Sequence, residues 1–340
     1  MSFTKINPAD FFPREFAFAA KTPVLITGGA GFIGSALVET LLAHGCKVRC
    51  FDNFSTGFRS NIEPFFANPD FELLEGDLRS TDDCSKAVEN MDYIFHEAAL
   101  GSVPRSIADP STSIAVNVAG TVNLLDAARK AGVRRIVYAS SSSVYGDDKS
   151  DIKKETCTGK VLSPYAASKA ACELFAENFA GVYGLEIVGL RYFNVFGMRQ
   201  NPAGAYAAVI PKFARMLLEH QSPVINGDGT ISRDFTFVGN VVNANIRAMF
   251  APEAPGKVFN VGCGKSIDLN TLFAVLRSEL AKFDPEIAKV EAVYGPERQG
   301  DVHFSLASTE LAKELLGYTP AYSFAEGIAV TAEYFYTMFS

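Results

Sequence analysis

The first half of the chain alternates short apolar segments with longer segments of helical periodicity. Near-continuous hydrophobicity in a short segment is typical of a strand covered on both faces, as in a parallel sheet between helices. The predicted strands are PVLITGG, VRCFDN, FELLEGD, YIFHEAA, RIVYASSS and EIVGLRYF, and the predicted helices lie in GFIGSALVETLLAHG, TDDCSKAVEN, STSIAVNVAGTVNLLDAARKAG and SPYAASKAACELFAENFAGVYG. This alternation predicts an α/β fold with a doubly wound parallel sheet.

The pattern changes after the sixth strand. The loop GMRQNPAGAY precedes a helix in AVIPKFARMLLEH and a glycine-rich turn in NGDGTISRDF, and KVFNVG is expected to return to the main sheet. The remaining mixed elements predict a smaller lobe, packed tightly on the sheet because no flexible linker separates the two. The predicted divisions are a surface-packed N-terminal arm at 1–22, a main domain at 23–196 with 234–260 returning to it, and a smaller C-terminal substrate-binding lobe at 197–233 and 261–340.

The first predicted strand runs directly into a glycine-rich turn. Gly28 permits the tight turn, Gly31 lets the backbone approach a pyrophosphate, and Gly34 allows close packing of the following helix, whose N-terminal amides would face the phosphates. The spacing alone is weak, because glycines also mark ordinary turns, but Asp52 ends the next strand at the distance of a ribose-binding acid. A carboxylate there repels a 2′-phosphate, so the pattern favours NAD over NADP.

A second acid, Asp77, ends the third predicted strand. We interpret Asp77 and Leu78 as an adenine contact. The alternative for Asp77 is a helix N-cap, although Thr81 is the better candidate for that role.

A candidate proton-transfer group lies at the start of the fourth predicted helix. Tyr165 and Lys169 share a helix face, and an ammonium favours the tyrosinate that a general base requires. Such a pair is also common on solvated helix faces. Here it follows the serines of RIVYASSSS, at the strand edge where doubly wound sheets bind ligands. A serine there could hydrogen-bond a reacting hydroxyl; a polar turn is the alternative.

Composition narrows the class of protein. The 340 residues are 48% hydrophobic and 20% charged, and the formal net charge of -7 disfavours nucleic acid or an anionic membrane as the main partner. No apolar run would span a bilayer, and the first residues lack a signal peptide's apolar region, so a cytoplasmic protein is expected. The six cysteines are expected to be reduced and mostly buried, with no metal site, and His96 to be a strand-end histidine with satisfied hydrogen bonds.

Four motifs together resemble the extended short-chain dehydrogenase/reductase family, and within it the nucleotide-sugar epimerases: GGAGFIG, SSVYG, YAASK and RYFNVFG. The similarity covers nearly all of the chain after residue 22. The segments HEAALGSVPRS, RYFNVFGMRQNPAGAYAAVIPKF and NGDGTISRDF are most similar to bacterial UDP-N-acetylglucosamine 4-epimerases of polysaccharide biosynthesis. The resemblance implies a Rossmann-type sheet that binds NAD, with a UDP-sugar between this sheet and the C-terminal lobe.

The resemblance also implies a role for each matching residue. Tyr165 matches the catalytic base, Lys169 its partner and Ser141 the catalytic serine, while Asn117 would support the active-site region and Tyr192 would lie beside the nicotinamide. The implied cofactor-binding set is Gly28, Gly31, Phe32, Ile33, Gly34, Asp52, Asn53, Ser55, Gly57, Asp77, Leu78, Ala98, Asn117, Tyr165, Lys169 and Tyr192. The implied substrate-binding set is Gly101, Ser102, Ser141, Ser142, Tyr165, Asn194, Gln200, Ala208, Val209, Asn226, Arg233, Arg298, Asp301 and Ser305.

Particular positions narrow the expected reaction. Dehydratase relatives carry Thr-Asp-Glu where this chain has Ser141, Ser142 and Ser143. Decarboxylating relatives usually keep a glutamate in that triplet. Arg233 and Arg298 match two pyrophosphate-binding arginines, with surface ion pairs as the alternative, and Asp301 matches a ribose-binding acid. Ser305 aligns with a bulky tyrosine of UDP-galactose-specific epimerases and would leave room for an acetamido group, unless it is only a polar residue at the edge of the lobe.

The resemblance therefore implies interconversion of UDP-GlcNAc and UDP-GalNAc through a 4-keto intermediate. The alternatives are epimerisation of UDP-glucose or of UDP-uronic acids, a non-catalytic NAD-binding sensor, and a net redox enzyme that releases NADH. Helices that begin near Asp109 and Ser163 carry apolar surface on more than one face. In the family such helices form a four-helix bundle, so a homodimer is expected; internal packing is the alternative.

Overall fold

The computed structural model describes residues 6–202, 208–296 and 304–339. The strands are β1 (Pro23–Thr27), β2 (Lys47–Asp52), β3 (Phe71–Glu75), β4 (Tyr93–His96), β5 (Arg135–Ser141), β6 (Ile152–Lys153), β7 (Glu186–Tyr192), β8 (Val195–Phe196), β9 (Val224–Asn226), β10 (Ser232–Arg233), β11 (Thr236–Phe237), β12 (Val258–Val261), β13 (Ile267–Asp268), β14 (Val293–Gly295) and β15 (Phe304–Ala307). The helices are α1 (Phe32–Ala43), α2 (Thr81–Val88), α3 (Val103–Ala108), α4 (Pro110–Ile114), α5 (Gly120–Ala131), α6 (Pro164–Tyr183), α7 (Val209–Leu218), α8 (Val238–Phe250), α9 (Leu269–Leu280), α10 (Glu310–Leu316) and α11 (Phe324–Phe339).

A parallel sheet of seven strands forms the centre of the fold, in the order β12-β7-β5-β4-β1-β2-β3. All six predicted strands of the first half belong to it, and KVFNVG returns as β12 beside β7, as the sequence predicts. Helices α1 and α8 pack on one face of the sheet, and α2, α5 and α6 pack on the other. The predicted doubly wound α/β fold is therefore confirmed. None of the helices in the described ranges combines the length and the apolar character needed to cross a membrane.

A second, small mixed sheet has the strand order β13-β10-β15-β6. Its strand β6 comes from the segment assigned by sequence to the main domain, yet it pairs with β15 near the end of the chain. The buried carboxylate of Asp234 ties this sheet to the turn after β12, because it accepts hydrogen bonds from the backbone N–H groups of Cys263, Gly264 and Ala307. The smaller lobe is thus fastened to the strand ends of the main sheet.

The N-terminal arm is more deeply packed than the sequence predicts. Phe11 is fully buried, with edge-on ring contacts to Phe237 at 5.8 Å and Tyr322 at 5.6 Å between centroids. A Cβ at Gly239 would lie 2.7 Å from the Phe11 ring, so α8 approaches the arm as closely as a glycine allows. The arm expected to pack on the domain surface also contributes to the core, because Phe11 fills a gap between α8 and the C-terminal segment.

We expect Phe11→Ala to destabilise the protein by about 3–5 kcal/mol, because it removes a fully buried aromatic side chain and leaves a cavity. Chemical denaturation measures the change in the free energy of unfolding. Phe66→Ala is the matched control, since Phe66 is 48% exposed. Equal, small losses in both variants would mean that the arm does not contribute to the core in solution.

Candidate active site

A cavity of about 350 Å³ lies along the carboxyl ends of the central strands. Of the sixteen residues predicted to bind the cofactor, fourteen line it, together with Gly101 of the predicted substrate set. Gly57 and Asn117 are the two that do not. Because β1 is central, the cavity extends from the ends of β2 and β3 on one side to the ends of β4, β5 and β7 on the other. This is the crevice where doubly wound sheets bind dinucleotides.

The glycine turn at the middle of the cavity leaves no room for side chains. Gly28 has φ of +69°, and a Cβ on Gly34 would lie 2.1 Å from the carbonyl oxygen of Gly28. Gly31 is the N-cap of α1 and provides no side-chain hydrogen bond to the helix. The first amides of α1 can therefore face an anionic ligand at close range.

Asp52 closes the cavity beyond this turn. Its carboxylate accepts hydrogen bonds from the N–H groups of Ala30 at 3.0 Å and Phe54 at 2.8 Å, so the acid and the glycine turn are fixed together. Burial raises the pKa of Asp52, although these backbone hydrogen bonds oppose the shift. Gly57 lies behind the turn rather than in the cavity: a Cβ there would lie 2.9 Å from the Ala30 carbonyl carbon.

Asp77 does not cap a helix with its side chain. It forms an ion pair with Arg79 and accepts a hydrogen bond from the Asn53 amide at 2.9 Å, and these partners lower the pKa of the Asp77 carboxyl. The N-cap of α2 is Ser80, whose hydroxyl accepts from the Asp83 N–H, so the choice of Thr81 as the cap is wrong by one residue. Asp77 remains available at the cavity wall beside Leu78.

The tyrosine–lysine pair lies at the other end of the cavity. Tyr165 and Lys169 both line it, and the Lys169 ammonium donates a 2.7 Å hydrogen bond to the carbonyl oxygen of Ala139 in β5. An ammonium has three donors, so Lys169 keeps two for a ligand or for Tyr165. The backbone N–H of Tyr165 is held by the Ser106 hydroxyl at 3.0 Å, which fixes the start of α6 against α3.

The serines at the end of β5 have different environments. Ser140 donates a hydrogen bond to Glu173, which in turn forms a buried ion pair with Arg191. Ser141 is adjacent in the strand and therefore points to the opposite side. Its hydroxyl accepts from the Ser143 N–H at 3.2 Å and keeps capacity for a ligand, although Ser141 is not among the residues that line the cavity. Ser142 follows as the first residue of a short 3₁₀ turn.

Asn117 supports the site from behind instead of touching the cavity. Its side-chain oxygen accepts from the Leu100 N–H at 2.7 Å, and its amide donates to the Ser168 hydroxyl at 3.0 Å. It lies in a π-helical turn, Ala115–Ala119, between α4 and α5. Ser102, next to the loop that Asn117 holds, has φ of +96°, a conformation rare for a residue with a side chain.

Glu97 is a cavity residue that the sequence analysis missed. It follows β4 directly, and its carboxylate accepts a 2.7 Å hydrogen bond from the Tyr192 hydroxyl. Its surroundings raise its pKa to about 7, because burial outweighs the opposing effects of Tyr192 and the Lys169 charge. The one sequence signal for Glu97 is its position directly after a strand, because the carboxyl ends of the strands face the ligand in a doubly wound sheet.

His96 is fully enclosed between two threonines. The Thr121 hydroxyl donates to the Asn117 carbonyl, so it accepts from His96 Nε2 at 2.9 Å, and His96 Nδ1 then accepts from the Thr27 hydroxyl at 2.7 Å. Burial, with the Lys169 charge in addition, lowers the pKa of His96 to about 3. The imidazole is therefore neutral and structural, which confirms the interpretation of His96 as a satisfied strand-end residue.

Most predicted substrate residues do not line the cavity: Ser102, Ser141, Ser142 and Asn194 lie at or after the ends of strands of the main sheet, and the others described belong to the smaller lobe. Arg233 in β10 and Ser305 in β15 are register partners in the small sheet. Asn194 donates a hydrogen bond to the Asp234 carbonyl at 3.1 Å, and Gln200 donates to the Val195 carbonyl at 3.1 Å. The remaining members are Ala208, the N-cap of α7, Val209, its first residue, and Asn226, the last residue of β9. Arg298 and Asp301 lie outside the described residues.

Four cysteines are buried, Cys263 is half-buried and Cys157 is exposed, which agrees with the expected thiol character. Burial raises the pKa of Cys46 to about 12, and such a thiol is unreactive. Within the part of the chain that the structure describes, no group of three His, Cys, Asp or Glu residues is placed to hold a metal ion.

Fold and cavity together define a dinucleotide-binding protein of the Rossmann class. The uncapped N-terminus of α1, the missing Cβ at Gly34 and the acid at Asp52 fit the pyrophosphate and ribose of NAD. A family model described as the NAD dependent epimerase/dehydratase family matches residues 24–262, and the chain belongs to this family, with NAD as its cofactor.

Individual relatives agree with this assignment. A UDP-glucose 4-epimerase of Mycolicibacterium smegmatis is 39% identical over 92% of this chain and 97% of its own length. The UDP-N-acetylglucosamine 4-epimerase of Methanobrevibacter ruminantium, solved with UDP-N-acetylmuramic acid, has 37% identity and a TM-score of 0.87, covering 94% of this chain and 100% of that one. The UDP-glucose 4-epimerase of Thermus thermophilus, solved with NAD, has 34% identity and a TM-score of 0.81, covering 92% and 99%.

The neutral state of His96 predicts acid sensitivity. In the unfolded chain His96 has a pKa near 6.5, whereas folding lowers it to about 3, so stability is lost as the pH falls from about 6.5 towards 3. This one group should remove about 1.4 kcal/mol of unfolding free energy per pH unit. We expect His96→Gln to show a shallower decline between pH 6.5 and 5 in urea denaturation.

His220→Gln is the control, because His220 is exposed and pairs with Asp284 on the surface. Identical acid slopes for the wild-type protein and His96→Gln would contradict a neutral His96.

Proposed function

We propose that this chain is a UDP-sugar 4-epimerase whose favoured reaction interconverts UDP-GlcNAc and UDP-GalNAc. The observation that carries the proposal is the position of Tyr165 and Lys169 in the cofactor cavity, with Lys169 bonded to β5 just before Ser141. The site is therefore equipped for reversible oxidation of an alcohol, and this strand end has serines where an elimination of water would need acids.

Tyr165 acts as the base that removes the proton from the 4-hydroxyl of the sugar, while Ser141 hydrogen-bonds the same oxygen. Lys169 stabilises the tyrosinate by its charge. The chemistry that bound NAD would supply is reversible hydride transfer at C4, and Gly31, Gly34 and Asp52 are among the residues that would hold it. The resulting 4-keto sugar rotates in the site, so that the hydride returns to its opposite face. Tyr165 then returns the proton, and the configuration at C4 is inverted.

Rotation of the sugar within the site requires that the nucleotide stays bound. Arginine side chains suit this task, because their paired donors match phosphate oxygens. The proposed UDP contacts are Asn194, Gln200, Ala208, Val209, Asn226, Arg233, Arg298 and Asp301, with Gly101, Ser102 and Ser142 nearer the sugar. Binding energy located in the nucleotide permits loose sugar contacts and therefore rotation.

The preference for an N-acetylated sugar rests on Ser305. Its register pairing with Arg233 supports a position close to the proposed pyrophosphate contact. Ser305 is small and Gly101, on the opposite side, lines the cavity without any side chain. Both leave space beside carbon 2 for an acetamido group. UDP-glucose and UDP-uronic acids are the alternative substrates, and the similarity to UDP-glucose 4-epimerases favours the first of these.

The direct experiment compares sugars. Purified protein is incubated separately with UDP-GlcNAc, UDP-Glc and UDP-glucuronic acid, with no NAD or with one equivalent, and the products are resolved chromatographically. We expect UDP-GalNAc to form fastest, and without excess NAD. A requirement for excess NAD with accumulation of NADH would instead indicate a net redox enzyme, and no conversion of any sugar by NAD-loaded protein would indicate a non-catalytic sensor.

We also propose that the protein is a cytoplasmic homodimer. Large apolar side chains remain exposed on the helices that pack side by side next to the cavity: Ile107 on α3, Ile114 on α4, and Leu174 and Val182 on α6 are each at least 50% exposed. Contiguous exposed apolar surface is typical of a protein interface. A second copy would cover it, with α6 and the helix that begins near Asp109 from each copy forming a four-helix bundle.

Replacement of the base tests the proposed chemistry. Tyr165→Phe removes only the hydroxyl, so we expect turnover to fall about 10²–10⁴-fold while NAD binding changes little. Steady-state epimerisation and NAD titration provide the two measurements. Tyr322→Phe is the control, because its hydroxyl donates to the Asp10 carbonyl of the N-terminal arm and does not line the cavity. Near-normal turnover of Tyr165→Phe would rule out its role as base.

Enlargement of Ser305 tests the substrate preference. We expect Ser305→Tyr to slow epimerisation of UDP-GlcNAc about ten- to a hundredfold, because overpacking a filled site costs about 1–3 kcal/mol, and to spare UDP-Glc. Ile152→Tyr is the control, an exposed position on the neighbouring strand of the same sheet. Equal losses for both sugars, or none for either, would contradict a position beside carbon 2.

A charge in the apolar surface tests the dimer. Leu174→Glu should convert the dimer into monomers in analytical ultracentrifugation, because a buried carboxylate at the interface lacks a partner. Val293→Glu introduces the same charge at an exposed position on β14 and should leave the sedimentation unchanged. A wild-type monomer, or an unaffected dimer in Leu174→Glu, would contradict the proposed interface.

A further inference from the structure

Glu97 stands out among the cavity residues because the proposed proton transfer does not use it. It lies at the carboxyl end of β4, while Tyr192 ends β7, and Ala139 and Ser140 line the cavity at the end of β5. These strands lie on the same side of β1, opposite Asp52 and Asp77. Glu97 therefore occupies the half of the cavity that holds Tyr165 and Lys169, where the reactive ring of a dinucleotide must lie.

The hydrogen-bond pattern around Glu97 has a defined direction. The amide nitrogen of Asn245 donates to the Val241 carbonyl at 2.9 Å, which can only accept, and so the orientation of this amide is fixed. The same nitrogen donates to the Tyr192 hydroxyl at 2.8 Å, and Tyr192 directs its own proton to Glu97 at 2.7 Å. The chain of donors therefore ends on Glu97 as an acceptor, an arrangement that an ionised carboxylate satisfies without a proton of its own.

The orientation of the Asn245 amide has a cost in stability, which indicates that it serves a function. The buried side-chain oxygen of Asn245 has no hydrogen-bond partner among the residues that the structure describes. An unsatisfied buried oxygen is unfavourable, so the orientation of Asn245 is retained at the expense of stability. Burial works against ionised Glu97 and raises its pKa to about 7, whereas the Tyr192 hydrogen bond and the Lys169 charge favour the carboxylate.

We propose that the Glu97 carboxylate is the counter-charge for the oxidised nicotinamide ring, and so makes the site bind NAD⁺ more tightly relative to NADH. Oxidised nicotinamide carries a positive charge and the reduced ring does not, so a negative group at this end of the cavity discriminates between them. Lys169 acts in the opposite direction, and Glu97 offsets it. The balance keeps the resident cofactor ready to accept a hydride, without contact between Glu97 and the sugar.

The test measures cofactor affinities and needs no sugar, so its result does not depend on which substrate the protein uses. Dissociation constants of NAD⁺ and NADH are measured by titration calorimetry for the wild-type protein and Glu97→Gln. Glutamine has the same shape and still accepts from Tyr192, so only the charge is lost. We expect the ratio of NAD⁺ to NADH affinity to fall about tenfold or more, because the attraction between unit charges about 4 Å apart corresponds to about fivefold in bulk water and to more in a partly buried site.

Two further variants separate charge from structure. Glu97→Asp keeps the charge and should retain most of the wild-type ratio. Glu155→Gln removes another half-buried carboxylate, one that accepts from the Asn260 N–H outside the cofactor cavity, and should leave the ratio unchanged. An unchanged ratio in Glu97→Gln, or an equal loss of affinity for both cofactor forms, would overturn the proposal and leave Glu97 as a support for Tyr192.

Discussion

The close approach of helix α1 to the turn after β1 is the constraint on which the site depends. A side chain at Gly34 would collide with the Gly28 carbonyl at 2.1 Å, so this helix start can lie against the turn only with a glycine there. The same turn is fixed to the end of β2 by the hydrogen bond from Ala30 to Asp52. The amides proposed to face the phosphates and the acid proposed to face the ribose are consequently positioned by one small piece of backbone.

The chemistry at the other end of the cavity depends on keeping charges apart. His96 is neutral between Thr27 and Thr121, so it adds no positive charge near Lys169. Lys169 is attached to the end of β5, and Glu97 provides the opposing charge through its contact with Tyr192. A dinucleotide that spans the cavity would therefore meet acids at its adenosine end and a balanced pair of charges at its reactive end.

The sequence predicts the central sheet well because periodicity and glycine spacing are local signals. All seven strands, the glycine turn and the Tyr165–Lys169 pair follow from segments that carry their own pattern. Features that depend on distant partners could not be predicted in this way. Glu97 acquires its environment from Tyr192, and strands β6 and β10 have only two residues each, too few for a periodicity to be recognised.

The arm shows the same limit. Nothing in the local pattern around Phe11 distinguishes a surface aromatic from a buried one, because its partners Phe237 and Tyr322 lie more than two hundred residues away in the chain. The position of the helix cap at Ser80 rather than Thr81 is a smaller case, in which two adjacent hydroxyl residues are equivalent by sequence and only backbone geometry selects one.

The fate of the hydrogen at C4 tests the central claim most directly. UDP-GlcNAc carrying deuterium at C4 is converted by the NAD-loaded enzyme in ordinary water, and the UDP-GalNAc formed is analysed by NMR and mass spectrometry. We expect UDP-GalNAc that retains the deuterium at C4, because the hydride leaves and returns without exchange while Tyr165 moves only the hydroxyl proton. Inverted product with solvent hydrogen at C4, or no inversion at all, would contradict the claim.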